Sequence, residues 1–232
     1  MKNKPNVLVA GFPKSGSTFL YHILKQHPDI FIPKIKELNY FNKDNFFLAN
    51  PEILNPRYFK SENWYYSFFR TDKKVVIDFS ILSALDITSA KRAKKLLGDP
   101  KIIFIIRNKE DYFKSMRKFI ISEGGNPSKN LKDYLEIESY IENYKNNFSK
   151  ILIVSLEKIN KNPEKELFKL TNFLSLKDYK FNLEVPRHET RNYKMKFINL
   201  VRRKLYILIV NLFYKFLSFT VSARIKAAGE SK

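Results

Sequence analysis

The chain has 232 residues, 44% of them hydrophobic and 28% charged, which is enough to bury one sizeable core and too apolar for a disordered chain. A formal net charge of +20, from 43 Lys and Arg against 23 Asp and Glu, predicts a surface that attracts phosphates, sulfates, nucleic acid or anionic lipid, although a general excess of solvated lysines gives the same count. Cysteine is absent, which excludes a disulfide framework, a thiolate nucleophile and a cysteine metal site.

Residues 1–6 are polar and run straight into apolar Val7 to Ala10, too short for a signal-peptide core, so the reading is an intracellular, cytoplasmic protein. Residues 6–10 are the first of four short apolar, β-branched runs; the others are 75–79, 102–106 and 151–155. Continuous rather than alternating apolar character predicts strands covered on both faces, as in a parallel sheet. The helices between them are marked by their ends. Ser17 to Gln26 follows a glycine, Ser89 to Leu97 stops at Gly98 and Pro100, Asn108 can cap a helix reaching about Ile121, and Pro163 opens one that runs through Phe173. Residues 122–129, with Gly124, Gly125 and Pro127, read as a polar, mobile loop. The predicted architecture is α/β, a P-loop-like parallel sheet flanked by helices: one domain over residues 1–195 and a basic, apolar helical appendage over 196–232.

Gly11-Phe12-Pro13-Lys14-Ser15-Gly16-Ser17-Thr18 joins the first strand to the first helix. Successive backbone N–H groups at such a junction, backed by the helix dipole, form a cradle for an anion, and the glycines let the backbone come close. In the nucleotide-hydrolase pattern G-x-x-x-x-G-K-[ST] the lysine follows the second glycine. Here Ser17 takes that place and the lysine has moved forward to Lys14, within reach of the oxygen that bridges a 5'-phosphate to a transferred group.

Arg107 ends the run Ile102-Ile103-Phe104-Ile105-Ile106, and Ser115 lies on the following helix. A guanidinium is a permanently charged fork suited to a phosphate dianion. Its competing role is a surface ion pair with Glu110 or Asp111.

These two segments together resemble the sulfotransferase family, whose pattern is a P-K-[ST]-G-[ST]-[ST] run after the first strand, with an arginine ending a central strand and a serine eight residues beyond it. The resemblance covers roughly residues 6–176. It implies that Pro13, Lys14, Ser15, Gly16, Ser17 and Thr18 hold the 5'-phosphosulfate of 3'-phosphoadenosine 5'-phosphosulfate (PAPS), that Arg107 and Ser115 hold its 3'-phosphate, and that the product is adenosine 3',5'-diphosphate (PAP). The segment His27-Pro28-Asp29-Ile30, followed by Lys36-Glu37-Leu38-Asn39-Tyr40-Phe41, resembles the glycan-type and bacterial branch, in which the glutamate of the Lys-Glu pair acts as base; that position is Glu37. The small-molecule branch uses a histidine, for which His188 is the alternative here. On this resemblance the acceptor is a hydroxyl or amine, in a glycan or glycolipid, with no metal and no nucleic-acid partner. Glu157 and the helix ending in F-L-x-L resemble family scaffold, and 187–192 takes the place of a donor-covering loop.

Residues 205–221 are apolar but interrupted by Asn211, Lys215 and Ser218, and flanked by Arg202, Arg203, Lys204, Arg224 and Lys226. The run is too short to span a bilayer, but its cations suit peripheral contact of residues 197–226 with an anionic membrane; packing on the domain or on a second copy is the alternative. Two other readings compete for the whole chain. One is a magnesium-dependent P-loop kinase or nucleotide hydrolase, with Val75-Val76-Ile77 and the following Asp78 as its magnesium-binding strand and Ser17 or Thr18 as its metal ligand, and the other is a non-enzymatic basic anion-binding protein.

Overall fold

Apolar runs with no polar face must be covered on both sides, and they form one parallel sheet between two layers of helix. The structure, a computed structural model, describes residues 4–43, 55–122, 127 and 136–186. Strands β1 (Val7–Gly11), β2 (Ile30–Phe31), β3 (Val75–Phe79), β4 (Lys101–Ile106) and β5 (Ile151–Ser155) lie in the order β2-β3-β1-β4-β5, and every neighbouring pair is parallel. Three of the four expected strands are buried along most of their length. The fourth, β5, closes the sheet as an edge strand, where Ile153 is 42% exposed. The two-residue β2 was not expected, because Ile30 and Phe31 make too short a run to register as a strand.

Helix α1 (Ser17–Leu24) carries the chain from β1 towards β2 and packs with Val7, Val9, Ile77 and Ile103 on one face. After α2 (Glu62–Tyr66) and β3, helix α3 (Ser89–Leu97) crosses to β4 on the other face, against Leu8, Ala10, Val76 and Phe104. The connection from β1 runs to one side of the sheet and the one from β3 crosses over β1 to the other, which opens a crevice at the C-terminal end of β1, where α/β sheets bind ligands.

Helix α4 (Lys109–Ser122) begins as expected: Asn108 Oδ1 accepts from the N–H groups of Glu110 and Asp111, at 3.0 and 3.4 Å. Gly98 ends α3 with φ +80°, and helix α5 (Ile137–Lys145) leads to β5. Helix α6 (Leu156–Lys161) follows, and α7 (Pro163–Leu174) starts at its proline under an Asn162 cap. Most of the glycine-rich loop at 122–129, all of 187–232 and the 195/196 boundary fall outside the described residues. No helix among the described residues is long and apolar enough to cross a membrane.

Asp78, in the middle strand of the β2-β3-β1 half, is 1% exposed. Its Oδ2 accepts from Tyr65 Oη at 2.8 Å and its Oδ1 from Ser80 Oγ at 2.5 Å, which leaves the carboxylate satisfied but dry. Burial raises the Asp78 carboxyl to about 6, against the opposing pull of the Ser80 and Tyr65 hydrogen bonds. The folded chain therefore holds this proton more tightly than the unfolded chain, so the contribution is complete below about pH 4 and is lost as pH rises towards about 6. Wild type should lose stability relative to Asp78→Asn across that window in urea melts; parallel curves would contradict the assignment. Tyr65→Phe, which strips one donor from the buried carboxylate, should cost about 1–3 kcal/mol at neutral pH.

Candidate functional site

Because β1 pairs with a strand on either side, the C-terminal ends of β3, β1 and β4 stand in a row about 10 Å wide. Each end carries one of the segments singled out above. Residues 11–18 extend β1, Arg107 extends β4, and Glu37 is fastened to β3.

The loop at 11–18 is tied to its neighbour by Phe12 N–H, which donates to Ile105 O at 3.0 Å, two residues before Arg107. Lys14 and Gly16 take left-handed backbone, with φ +61° and +96°. At Gly16 the left-handed backbone favours glycine, and an added Cβ would meet the Leu156 Cδ1 methyl at 2.7 Å, so that side chain would have to shift. The first helical bond of α1 is Leu20 N–H to Gly16 O, so the N–H groups of Ser17 and Thr18 have no intrahelical acceptor and lie at the positive end of the dipole. Ser15 is fully buried, and its Oγ has no hydrogen-bond partner among the described residues. Pro13 and Ser17 are buried, whereas Lys14 and Thr18 are half-buried. Lys14 Nζ lies over the Phe119 ring, 5.5 Å from its centroid.

Arg107 is half-buried at the mouth of β4, with Nη2 3.7 Å from Asp111 Oδ2. The competing ion pair is therefore present, but at this distance and with Asp111 52% exposed it is the kind of contact worth about 0–1 kcal/mol, which a dianion can displace. Asp111, Ser115 and Phe119 succeed one another by four residues, so they form one stripe of α4. The half-buried Ser115 thus stands between the partner of Arg107 and the ring that receives Lys14.

Glu157 sits at the same mouth. Its Oε1 accepts from Asn108 N–H at 2.7 Å and its Oε2 from Ser155 Oγ at 2.9 Å. Partial burial raises this carboxyl, but the bonds from Asn108 and Ser155 and the charge of Arg107 outweigh it and hold it below the ordinary value. Glu157 therefore braces the junction between β4 and α4.

Glu37 also has positive φ, +65°, and its N–H donates to Phe79 O at 2.9 Å, which brings it to the end of β3. Lys36 Nζ lies 3.3 Å from Glu37 Oε1 and over the Tyr21 and Phe79 rings, 5.7 and 5.3 Å from their centroids. Two further residues hold this segment. Arg57 Nη1 donates to Glu37 O at 2.7 Å and to Leu38 O at 3.3 Å, and Asn55 Nδ2 donates to Asn39 O and Asn42 O at 2.5 and 2.8 Å. Neither was read from the sequence: Asn55-Pro56 signals a turn, but nothing in it says that its side chains return to residues 37–42. Asp78, in the strand that the kinase reading assigns to magnesium, has both oxygens occupied by Tyr65 and Ser80. His188 lies outside the described residues.

The sequence model of the Sulfotransferase domain matches residues 4–203. A mouse protein described as bifunctional heparan sulfate N-deacetylase/N-sulfotransferase 4 is 32% identical over 111 residues, 46% of this chain and 12% of its own length. A Caenorhabditis briggsae protein described as bifunctional heparan sulfate N-deacetylase/N-sulfotransferase 1 is 22% identical over 232 residues, 85% of this chain and 26% of its own length. The chain thus spans only a minor part of these relatives. Among solved structures, a sulfotransferase from Alicyclobacillus acidocaldarius superposes with a TM-score of 0.67 at 19% identity, over 79% of this chain and 86% of that one. The sulfotransferase domain from the Curacin biosynthetic pathway gives 0.57 at 18% identity, over 77% and 76%. These likenesses establish the fold.

Gly16→Ala should destabilise the chain by about 1–2 kcal/mol through its left-handed backbone alone. Adding Leu156→Ala removes the clash but not that cost, so the double variant should remain less stable than Leu156→Ala by a similar margin in urea melts; equal stability of the two would refute the backbone argument.

Proposed function

The chain belongs to the sulfotransferase family, and from that premise we propose that it moves a sulfuryl group from PAPS to a hydroxyl or amine of a glycan or glycolipid. The observation that carries the donor assignment is the adjacency of two anion-binding elements on neighbouring strand ends. The loop at 11–18 leaves β1 and Arg107 leaves β4, with Phe12 N–H bonded to Ile105 O between them. A nucleotide with phosphate at both its 3' and 5' positions suits such a pair, and Ser115 on the shared stripe of α4 suits the 3'-phosphate.

The loop fits a phosphosulfate on its own evidence. A buried hydroxyl at Ser15 stands without a partner among the described residues, and Gly16 brings bare backbone to the surface where an added Cβ would shift Leu156. Pro13, Ser17 and Thr18 complete the cradle. Lys14 rests on an aromatic face at the mouth of this cradle, its Nζ 5.5 Å from the Phe119 ring centroid.

In the reaction, the acceptor oxygen or nitrogen attacks sulfur in line, and its new bond to sulfur forms as the bond from sulfur to the 5'-phosphate oxygen breaks. That bridging oxygen keeps the electron pair and is stabilised by Lys14 and the loop amides. Glu37, whose Oε1 lies 3.3 Å from Lys36 Nζ, takes the acceptor proton. PAP then leaves. The names of the mouse and worm relatives, both heparan sulfate N-sulfotransferases, favour a sugar amine or hydroxyl as acceptor.

Calorimetric titration tests the donor site directly. PAP should bind without metal and more tightly than ADP, and Arg107→Ala should weaken PAP about tenfold to a hundredfold while leaving ADP unchanged, as expected for loss of a charged hydrogen bond. Equal losses for the two nucleotides, or magnesium-dependent turnover of ATP, would overturn the assignment. Lys14→Ala should lower turnover about a hundred- to a thousandfold; unchanged turnover would remove Lys14 from the chemistry.

A further inference from the structure

We infer that Arg57 is a positioning residue of the transfer reaction, one that sets the backbone beneath Glu37 and acts through it. The inference rests on the reading of Glu37 as base.

Residues 37–42 are held in an unusual way. Glu37 and Asn39 both have positive φ, +65° and +48°, although neither is glycine. Left-handed backbone of this kind persists only where neighbouring groups fix it. One side of the segment is sewn to the end of β3: Glu37 N–H donates to Phe79 O, and Asn39 N–H donates to Ser80 Oγ at 3.0 Å, whose own hydrogen goes to buried Asp78. The other side is held from the turn at 55–57. Buried Asn55 takes the carbonyls of Asn39 and Asn42, and Arg57 takes those of Glu37 and Leu38.

Asn55 and Arg57 differ in kind. Asn55 is 5% exposed and belongs to the packed interior, whereas Arg57 is an exposed side chain that reaches back to the carbonyl of the candidate base. Ordering an exposed arginine costs side-chain entropy, which is seldom recovered in stability at a surface. What the contact does achieve is to fix the carbonyls of Glu37 and Leu38, the backbone on which the Glu37 side chain is mounted. A misplacement of about 1 Å in a reacting group can cost about a hundredfold in rate, so bonds that fix this backbone are worth more to turnover than to folding.

The test is a double-mutant cycle in kcat between Arg57→Ala and Glu37→Gln, with PAP affinity measured for every variant. Arg57→Ala should lower kcat about tenfold or more with PAP affinity unchanged. Arg57→Lys should recover part of the loss, because an ammonium can still donate to one of the two carbonyls. In the Glu37→Gln background Arg57→Ala should add little, since a residue that acts through another has nothing left to position. Equal losses in both backgrounds would show that Arg57 acts by itself and would overturn the inference. So would an Arg57→Ala enzyme with wild-type kcat, or one that loses PAP affinity in step with kcat. If Glu37→Gln keeps wild-type kcat while its donor affinity is intact, the reading of Glu37 as base fails as well, and that outcome is distinguishable from a failure of Arg57 alone.

Discussion

The pairing of β1 with a parallel strand on each side is the constraint from which the site follows. Val7 to Val9 lie in register with Ile77 to Phe79 of β3, and the same residues lie in register with Lys101 to Ile103 of β4. All three strands run the same way, so whatever follows each of them emerges on one edge. The loop at 11–18, Arg107 and the anchor of Glu37 are thereby assembled without any long-range adjustment of their own. The register shift between Val9 and Gly11 falls where β1 leaves the ladder and becomes the loop.

Beneath that edge lies a polar chain inside an apolar core: Tyr65 to Asp78, Ser80 to Asp78, and Asn39 N–H to Ser80. A buried carboxylate is a poor stabiliser, and burial pushes its acid form to the fore. Its value here is directional. The hydroxyl of Ser80 can donate only one hydrogen, and with that hydrogen committed to Asp78 its oxygen is turned to accept from Asn39, two residues beyond Glu37. An alanine at 78 would leave Ser80 free to rotate and the loop above it without a defined seat.

What could be read from the sequence is what is carried by neighbouring residues. Gly98 stops α3, Pro163 opens α7, and Asn108 caps α4 because caps and breakers act within a turn of their own position. The turn at 11–18 between β1 and α1 was legible for the same reason, since the glycines, hydroxyls and lysine that mark it are contiguous. Contacts made through space were not legible. Arg57 reaches Glu37 across a bend, Glu157 reaches Asn108 from the next strand over, and Lys14 finds Phe119 on α4. The exposure of β5 escaped for a related reason: Ile151 to Val154 has the composition of an interior strand, and only the order of strands in the sheet puts it at the edge.

The meeting of Gly16 with Leu156 has a bearing on how the chain is made. The bare backbone at residue 16 is seated against a side chain just past the end of the last strand, so the turn after β1 packs on a residue translated much later. While the ribosome is still producing β3 and β4, the emerging polypeptide carries the whole turn after β1 but not the side chain it packs against. A chain that stopped before the Ser155-Leu156-Glu157 corner would leave Gly16 without that neighbour.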